Sequence, residues 1–195
     1  MKTAHLVKPQ LWRYTVEEYD RLVRHNMFRD ARVELIEGKV IAMPPQMEPH
    51  AVGVILAGEV MRRAFGEGFT VRQQMPLQLG NRSKPEPDVA VVTGGPRASL
   101  KSGAPAAAAL IIEISDATLR HDRGKKALLY ARSGFADYWI VNLVDRQLEV
   151  HRDPIADPAT KRGFRYNSIQ VLKPGEAIAP LAAPGASVAV NDLLP

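Results

Sequence analysis

Leu110-Ile111-Ile112-Glu113-Ile114-Ser115 is a continuous apolar run broken by a single carboxylate. Its β-branched isoleucines favour a strand. A strand apolar on both faces belongs in the middle of a sheet covered from both sides. A chain with such a strand therefore needs helices against its sheet, an α/β arrangement. Glu113 is the anomaly in the run. A carboxylate beside the core is destabilising unless a cationic side chain, a proton or a metal ion accompanies it. Because side chains alternate, Glu113 and Ser115 share one face of the strand, and Ile112 and Ile114 take the other.

The surrounding sequence supplies helices and further strands. Thr15-Val16-Glu17-Glu18 has the form of a capping box and opens a helix over about 15–26. Val33 to Met43 predicts a hairpin that turns at Glu37-Gly38. Val52, Ile55, Leu56 and Val60 mark a helix from about His50 to Phe65, and short strands are expected near Thr70–Leu79 and Asp88–Val92. Asp122 and Gly134 are suited to start and stop another helix. Tyr138–Leu143 and Gln147–His151 are the next strands, with Tyr138 and Trp139 as core residues. The Gly-, Pro- and Ala-rich stretch Gly94–Ala109 reads as a flexible surface loop inside one domain, and 173–195 as turns around short strands. The whole of 1–195 is accordingly read as a single α/β (α+β) domain, a mixed sheet flanked by helices.

Composition limits the chemistry. The chain has no cysteine, which excludes disulfides and thiolate metal sites and fits a reducing, cytoplasmic setting. No apolar run approaches the ~20 residues of a membrane span, and Met1–Gln10 lacks the apolar stretch of a secretory signal. The five histidines show no ligand spacing, so no zinc site is expected, and Gly94-Gly95-Pro96 lacks the lysine of a phosphate-binding loop. The formal charge of +5 makes a polyanion a plausible partner. Between Asp116 and Arg132 five basic residues (Arg120, Arg123, Lys125, Lys126, Arg132) face two acidic ones.

Asp88 follows a proline and opens an apolar strand. If that strand pairs with the one carrying Glu113, the two carboxylates can converge. Such hard oxygen ligands suit Mg²⁺ or Mn²⁺, with water completing the shell. The same residues also fit a plain buried salt bridge from Glu113 to Lys126 or an arginine. His50, at a helix start, can equally be a polar residue without chemistry.

Taken in order, Glu34-Leu35-Ile36-Glu37-Gly38, then His50, then Pro85-Glu86-Pro87-Asp88-Val89, then Ile112-Glu113-Ile114-Ser115 follow one another along the chain. Asp122, Lys126 and Tyr130 spaced by four come next, followed by Gly134-Phe135-Ala136-Asp137-Tyr138-Trp139-Ile140-Val141. This ordered set, over about 12–151, resembles the Uma-two family, whose members have the restriction-endonuclease-like fold of the PD-(D/E)XK nuclease superfamily. The resemblance implies that Asp88 and Glu113 bind a metal, Mg²⁺ or Mn²⁺, with the Ile114 carbonyl as a third donor. It also implies that Glu34 supports the site and that His50 lies beside it. Ser115 stands where that superfamily has its lysine. The family pattern implies that the lysine has moved to the following helix, with Lys126 the candidate and Asp122 and Tyr130 on its face. Lys125, turned ~100° away, is the weaker choice.

The implied activity is a metal-dependent endonuclease, with DNA favoured over RNA and a homodimer as the acting species. Arg120, Arg123 and Lys125 would hold the phosphate backbone. A non-catalytic nucleic-acid or protein-interaction module on the same fold, or a self-associating structural protein with salt-bridged acids, would use the same architecture.

Overall fold

The structure, a computed structural model, describes residues 10–159 and 163–195; the readings of Met1–Pro9, His5 among them, lie outside the described residues. Thr15 caps the first helix, α1 (Val16–Arg24), and both arms of the capping box form: the Glu18 amide donates to Thr15 Oγ1 at 3.2 Å and the Thr15 amide to Glu18 Oε2 at 2.8 Å. A hairpin follows, β1 (Val33–Ile36) and β2 (Lys39–Ala42). Its turn residues Glu37 and Gly38 have φ of 52° and 76°, the left-handed pair that a two-residue hairpin turn requires. Gly38 is needed for space as well, because a Cβ there would lie 2.8 Å from Arg13 Cβ.

Next come α2 (Glu48–Phe65), β3 (Phe69–Gln73), β4 (Val89–Thr93), the single turn α3 (Ser99–Ser102) and β5 (Leu110–Ser115). The chain then forms α4 (Leu119–His121), a π-helical turn over Asp122–Lys126, and α5 (Ala127–Arg132) without a break. Strands β6 (Asp137–Asn142), β7 (Gln147–Asp157) and β8 (Gly163–Leu172) complete the main sheet. The short pair β9 (Ala177–Ile178) and β10 (Val188–Ala189) and a 3₁₀ turn at Val190–Leu193 end the chain.

The main sheet has six strands in the order β3-β4-β5-β6-β7-β8. Only β5 and β6 pair in parallel, joined by the α4–α5 crossover; the other pairs are antiparallel. One face carries Val89, Val91, Ile112, Ile114 and Trp139 and is covered by α2 and the C-terminal 3₁₀ turn. The opposite face carries Ala90, Ile111, Tyr138 and Ile140 and packs against Leu129 and Tyr130 of α5. The alternation expected at β5 is thus observed, and it turns Glu113 and Ser115 toward the α4–α5 side. On the other side α2 approaches so closely at Gly53 that a Cβ there would meet Ile114 Cγ2 at 2.8 Å. The central strand is held from both sides at the residue next to Glu113.

Several expectations differ from the structure. Strand β3 ends at Gln73 rather than near Leu79, because Gln74 turns to φ 52° and leaves the sheet. The 94–109 loop contains the turn α3. The strand after Gln147 runs on through Pro154 to Asp157, and β8 pairs with it along its length. Asp122 does not cap a helix: it lies within the continuous α4–α5 helix, where the backbone widens into the π turn.

His151 of β7 is buried among Tyr138 and Tyr166, and burial lowers its pKa from 6.5 to about 4. A base whose folded pKa is depressed favours folding above its unfolded value, and that contribution is lost as pH falls through the folded value. Stability should therefore drop on the order of 3 kcal/mol between pH 6.5 and 4, at ~1.4 kcal/mol per pKa unit. Urea titrations across that window measure it; a His151→Phe protein with the same slope would show that the histidine is not its source.

Candidate metal and nuclease site

Three segments meet at the mouth of the α4–α5 side of the sheet. Asp88, just before β4, directs its carboxylate across to β5, where Oδ2 accepts the Ile114 amide at 2.9 Å. His50, in the first turn of α2, brings Nε2 to the same oxygen at 3.1 Å, and the Gln74 side-chain amide donates to Oδ1 at 3.3 Å. Burial alone would raise the Asp88 pKa. The His50 hydrogen bond and charge, the Lys126 charge and the Ile114 amide outweigh it and hold the carboxyl below its ordinary value.

Glu113 has the opposite environment. Its Oε1 lies 3.0 Å from Lys126 Nζ and accepts the Tyr130 hydroxyl at 2.7 Å. Lys126 also donates to Glu34 Oε1 at 3.2 Å, so one ammonium lies between two carboxylates. Burial, together with the charges of Asp122, Asp88 and Glu34, pushes the Glu113 carboxyl well above its ordinary range, against the pull of Lys126. The same acids, Glu113 first, keep Lys126 protonated despite its burial. All five charged groups (Glu34, Asp88, Glu113, Asp122, Lys126) are at most 5 % exposed. Carboxylates outnumber ammonium groups here. Two carboxylates with pKa values pushed in opposite directions are a recurring feature of catalytic sites.

The π turn explains how Lys126 reaches β5. It widens the helix between Asp122 and Lys126, and both side chains are buried against the sheet while Arg123 and Lys125 between them stay exposed. Asp122 Oδ2 accepts the hydroxyls of Ser115 at 2.7 Å and Thr118 at 2.6 Å, locking the start of this turn to the end of β5. Tyr138 donates its hydroxyl to the Asp122 carbonyl at 3.2 Å from the adjacent strand.

Glu34, His50, Asp88, Glu113, Asp122 and Lys126 line a cleft of about 70 Å³ together with the Met43–Met47 segment. That space suits a cation with a few waters rather than a large organic ligand. The donor chemistry fits a hard divalent cation. Among the described residues Glu34 Oε2 and Asp122 Oδ1 are buried with no hydrogen-bond partner, and a cation would relieve the surplus negative charge. Among the described residues no group of three or more His, Asp or Glu side chains forms a metal cage. A bound Mg²⁺ or Mn²⁺ would therefore keep much of its water.

The structure thus gathers Glu34, His50, Asp88, Glu113, Asp122 and Lys126 around one cleft, with Ser115 and Tyr130 outside its lining but bonded to Asp122 and Glu113. Ile114 contributes there through its amide, which is bonded to Asp88. Arg120, Arg123 and Lys125 lie instead on an adjoining open groove. All three are exposed, and Arg123 makes a two-pronged contact to Glu149 at 2.8 and 2.6 Å.

Sequence reading does not place several lining or contacting residues, among them the Met43–Met47 segment, Asp116 and Ala117. Glu86, in the cleft, lies two residues before Asp88, and Thr118 precedes Asp122 by one helical turn; both spacings were visible. Arg32, 3.8 Å from Glu86, and Gln74 arrive by tertiary folding, with no local signal.

The family profile described as "Uma2: Putative restriction endonuclease" matches residues 16–191. No curated protein matches the chain. Among solved structures, one described as a "putative nuclease belonging to DUF820 from Anabaena variabilis" superposes with a TM-score of 0.69 at 18 % identity, covering 92 % of this chain and 96 % of that one. At that identity the likeness establishes the fold. Among the described residues no helix is long and apolar enough to cross a membrane.

Proposed function

Since the chain belongs to the Uma2 family of "putative restriction endonucleases", we propose that it is a divalent-metal-dependent endonuclease acting on DNA. The observation that carries this reading is the convergence of Asp88, Glu113 and Lys126 on one cleft from the residue before β4, from β5 and from the π turn. Asp88 and Glu113, with the Ile114 carbonyl as third donor, would hold Mg²⁺ or Mn²⁺, which would supply polarisation of the phosphate and a water made nucleophilic near neutral pH.

The chain's own residues have separable tasks. Asp88 is kept ionised by His50 and the Ile114 amide, ready as a ligand. Tyr130 and Lys126 both bind Glu113 Oε1 and so fix the orientation of its carboxylate. Lys126 stays protonated among the acids, which suits it to stabilise negative charge as the phosphate is attacked and not to act as the base. Arg120 and Lys125 would hold the phosphate backbone. Cleavage of both strands would use two copies, a homodimer, in a reducing compartment such as the cytoplasm.

A buried Glu34–Lys126–Glu113 ion-pair network is also what a non-catalytic module would contain. Supercoiled plasmid incubated with the protein and millimolar Mn²⁺ or Mg²⁺ decides between them. Nicked circles that vanish with EDTA are expected; intact plasmid at every metal concentration would favour the binding module.

A further inference from the structure

Arg72 of β3 is only 6 % exposed, and among the described residues no carboxylate pairs with it. Its Nη2 donates to the Pro76 carbonyl at 3.3 Å, its Nη1 reaches Ser99 Oγ at a long 3.5 Å, and its Nε is buried with no partner. Most of the five donors of this permanently charged group are therefore unanswered. Burial lowers its pKa with no opposing charge to raise it. Truly isolated buried charge is strongly disfavoured, so such a group normally has a countercharge.

The guanidinium lines a cavity of about 280 Å³ under the 95–107 loop, with Thr70, Thr93, Ser99 and Ser102 also on its walls and no acidic residue. Arg72 pairs with Ala90, two residues from Asp88, yet this cavity shares no lining residue with the Asp88–Glu113 cleft. We propose that this cavity is a binding site for a small oxyanion of the phosphate class, with Arg72 as its countercharge and the Ser99 hydroxyl as a supporting donor. Arginine's planar fork matches an oxyanion, and a low-dielectric pocket strengthens the contact. The loop over the cavity would then be secured by the anion it covers.

The probe is inorganic phosphate, titrated in EDTA against chloride at equal ionic strength, with thermal unfolding as readout. Wild type should gain about 3–6 °C at ten times the dissociation constant. Arg72→Met should gain nothing beyond the general salt effect and, freed of a buried charge, should match or exceed wild type without phosphate. An Arg120→Ala/Lys125→Ala protein should keep the full gain, which separates this site from the basic groove. Should Arg72→Met fold poorly, the Nε–H resonance of Arg72 in wild type must still shift with saturating phosphate. An equal gain in Arg72→Met, an unmoved Nε–H resonance, or a response to acetate alone would overturn the assignment.

Discussion

Lys126→Ala should leave a protein that is both less stable and nearly inactive, whereas Lys125→Ala should change little. In the folded chain the Lys126 ammonium lies between Glu113 at 3.0 Å and Glu34 at 3.2 Å, at 2 % exposure. Removing one partner of a buried ion pair leaves uncompensated charge and typically destabilises by about 3–5 kcal/mol. Proton uptake by Glu113, already pushed upward, would recover part of that. Losing one well-placed positive charge in a site of this kind lowers the rate by about 10²–10³. Lys125 is exposed on the other side of the π turn. Its removal should alter stability by less than about 0.5 kcal/mol and appear mainly as a shallower salt dependence of DNA binding. Urea denaturation and plasmid nicking of both variants test the contrast. Equal losses at the two lysines would show that only the surface charge matters.

Asp88→Asn should remove both the proposed metal-dependent cleavage and the thermal stabilisation expected of wild type with Mn²⁺. Asparagine is the informative replacement. It can still accept the Ile114 amide, which Asp88→Ala would leave buried and unpaired at roughly 1–3 kcal/mol. The fold should therefore persist while the ligand charge is lost. A melting curve for Asp88→Asn that rises with Mn²⁺ as far as wild type would remove Asp88 from the metal site.

The elements that build this site were readable where chemistry and spacing are local. Glu113 inside an apolar strand announced its need for a partner, alternation placed Ser115 on its face, and the capping box and hairpin turn were read from a few residues each. The Asp122–Lys126–Tyr130 spacing was also legible, and all three side chains do bind around the Glu113 end of β5. The local backbone was not. A π turn has no sequence signature comparable to a cap or a glycine turn, so the local pattern points to a helix start at Asp122. Gln74 reaches Asp88 only because its backbone adopts a left-handed conformation that glutamine does not advertise. Arg72 was invisible for a related reason: alternation assigns a residue to a face, but only the packed loop shows that the face is closed there without a countercharge.

The central claim is that the cleft holds a divalent cation through Asp88 and Glu113, and calorimetric titration of Mn²⁺ into wild type and Glu113→Gln tests it most directly. The predicted result is saturable binding by wild type, weakened at least about tenfold in Glu113→Gln, which is ~1.4 kcal/mol of lost affinity. No binding to wild type at millimolar Mn²⁺, or equal affinity in the two proteins, would contradict it.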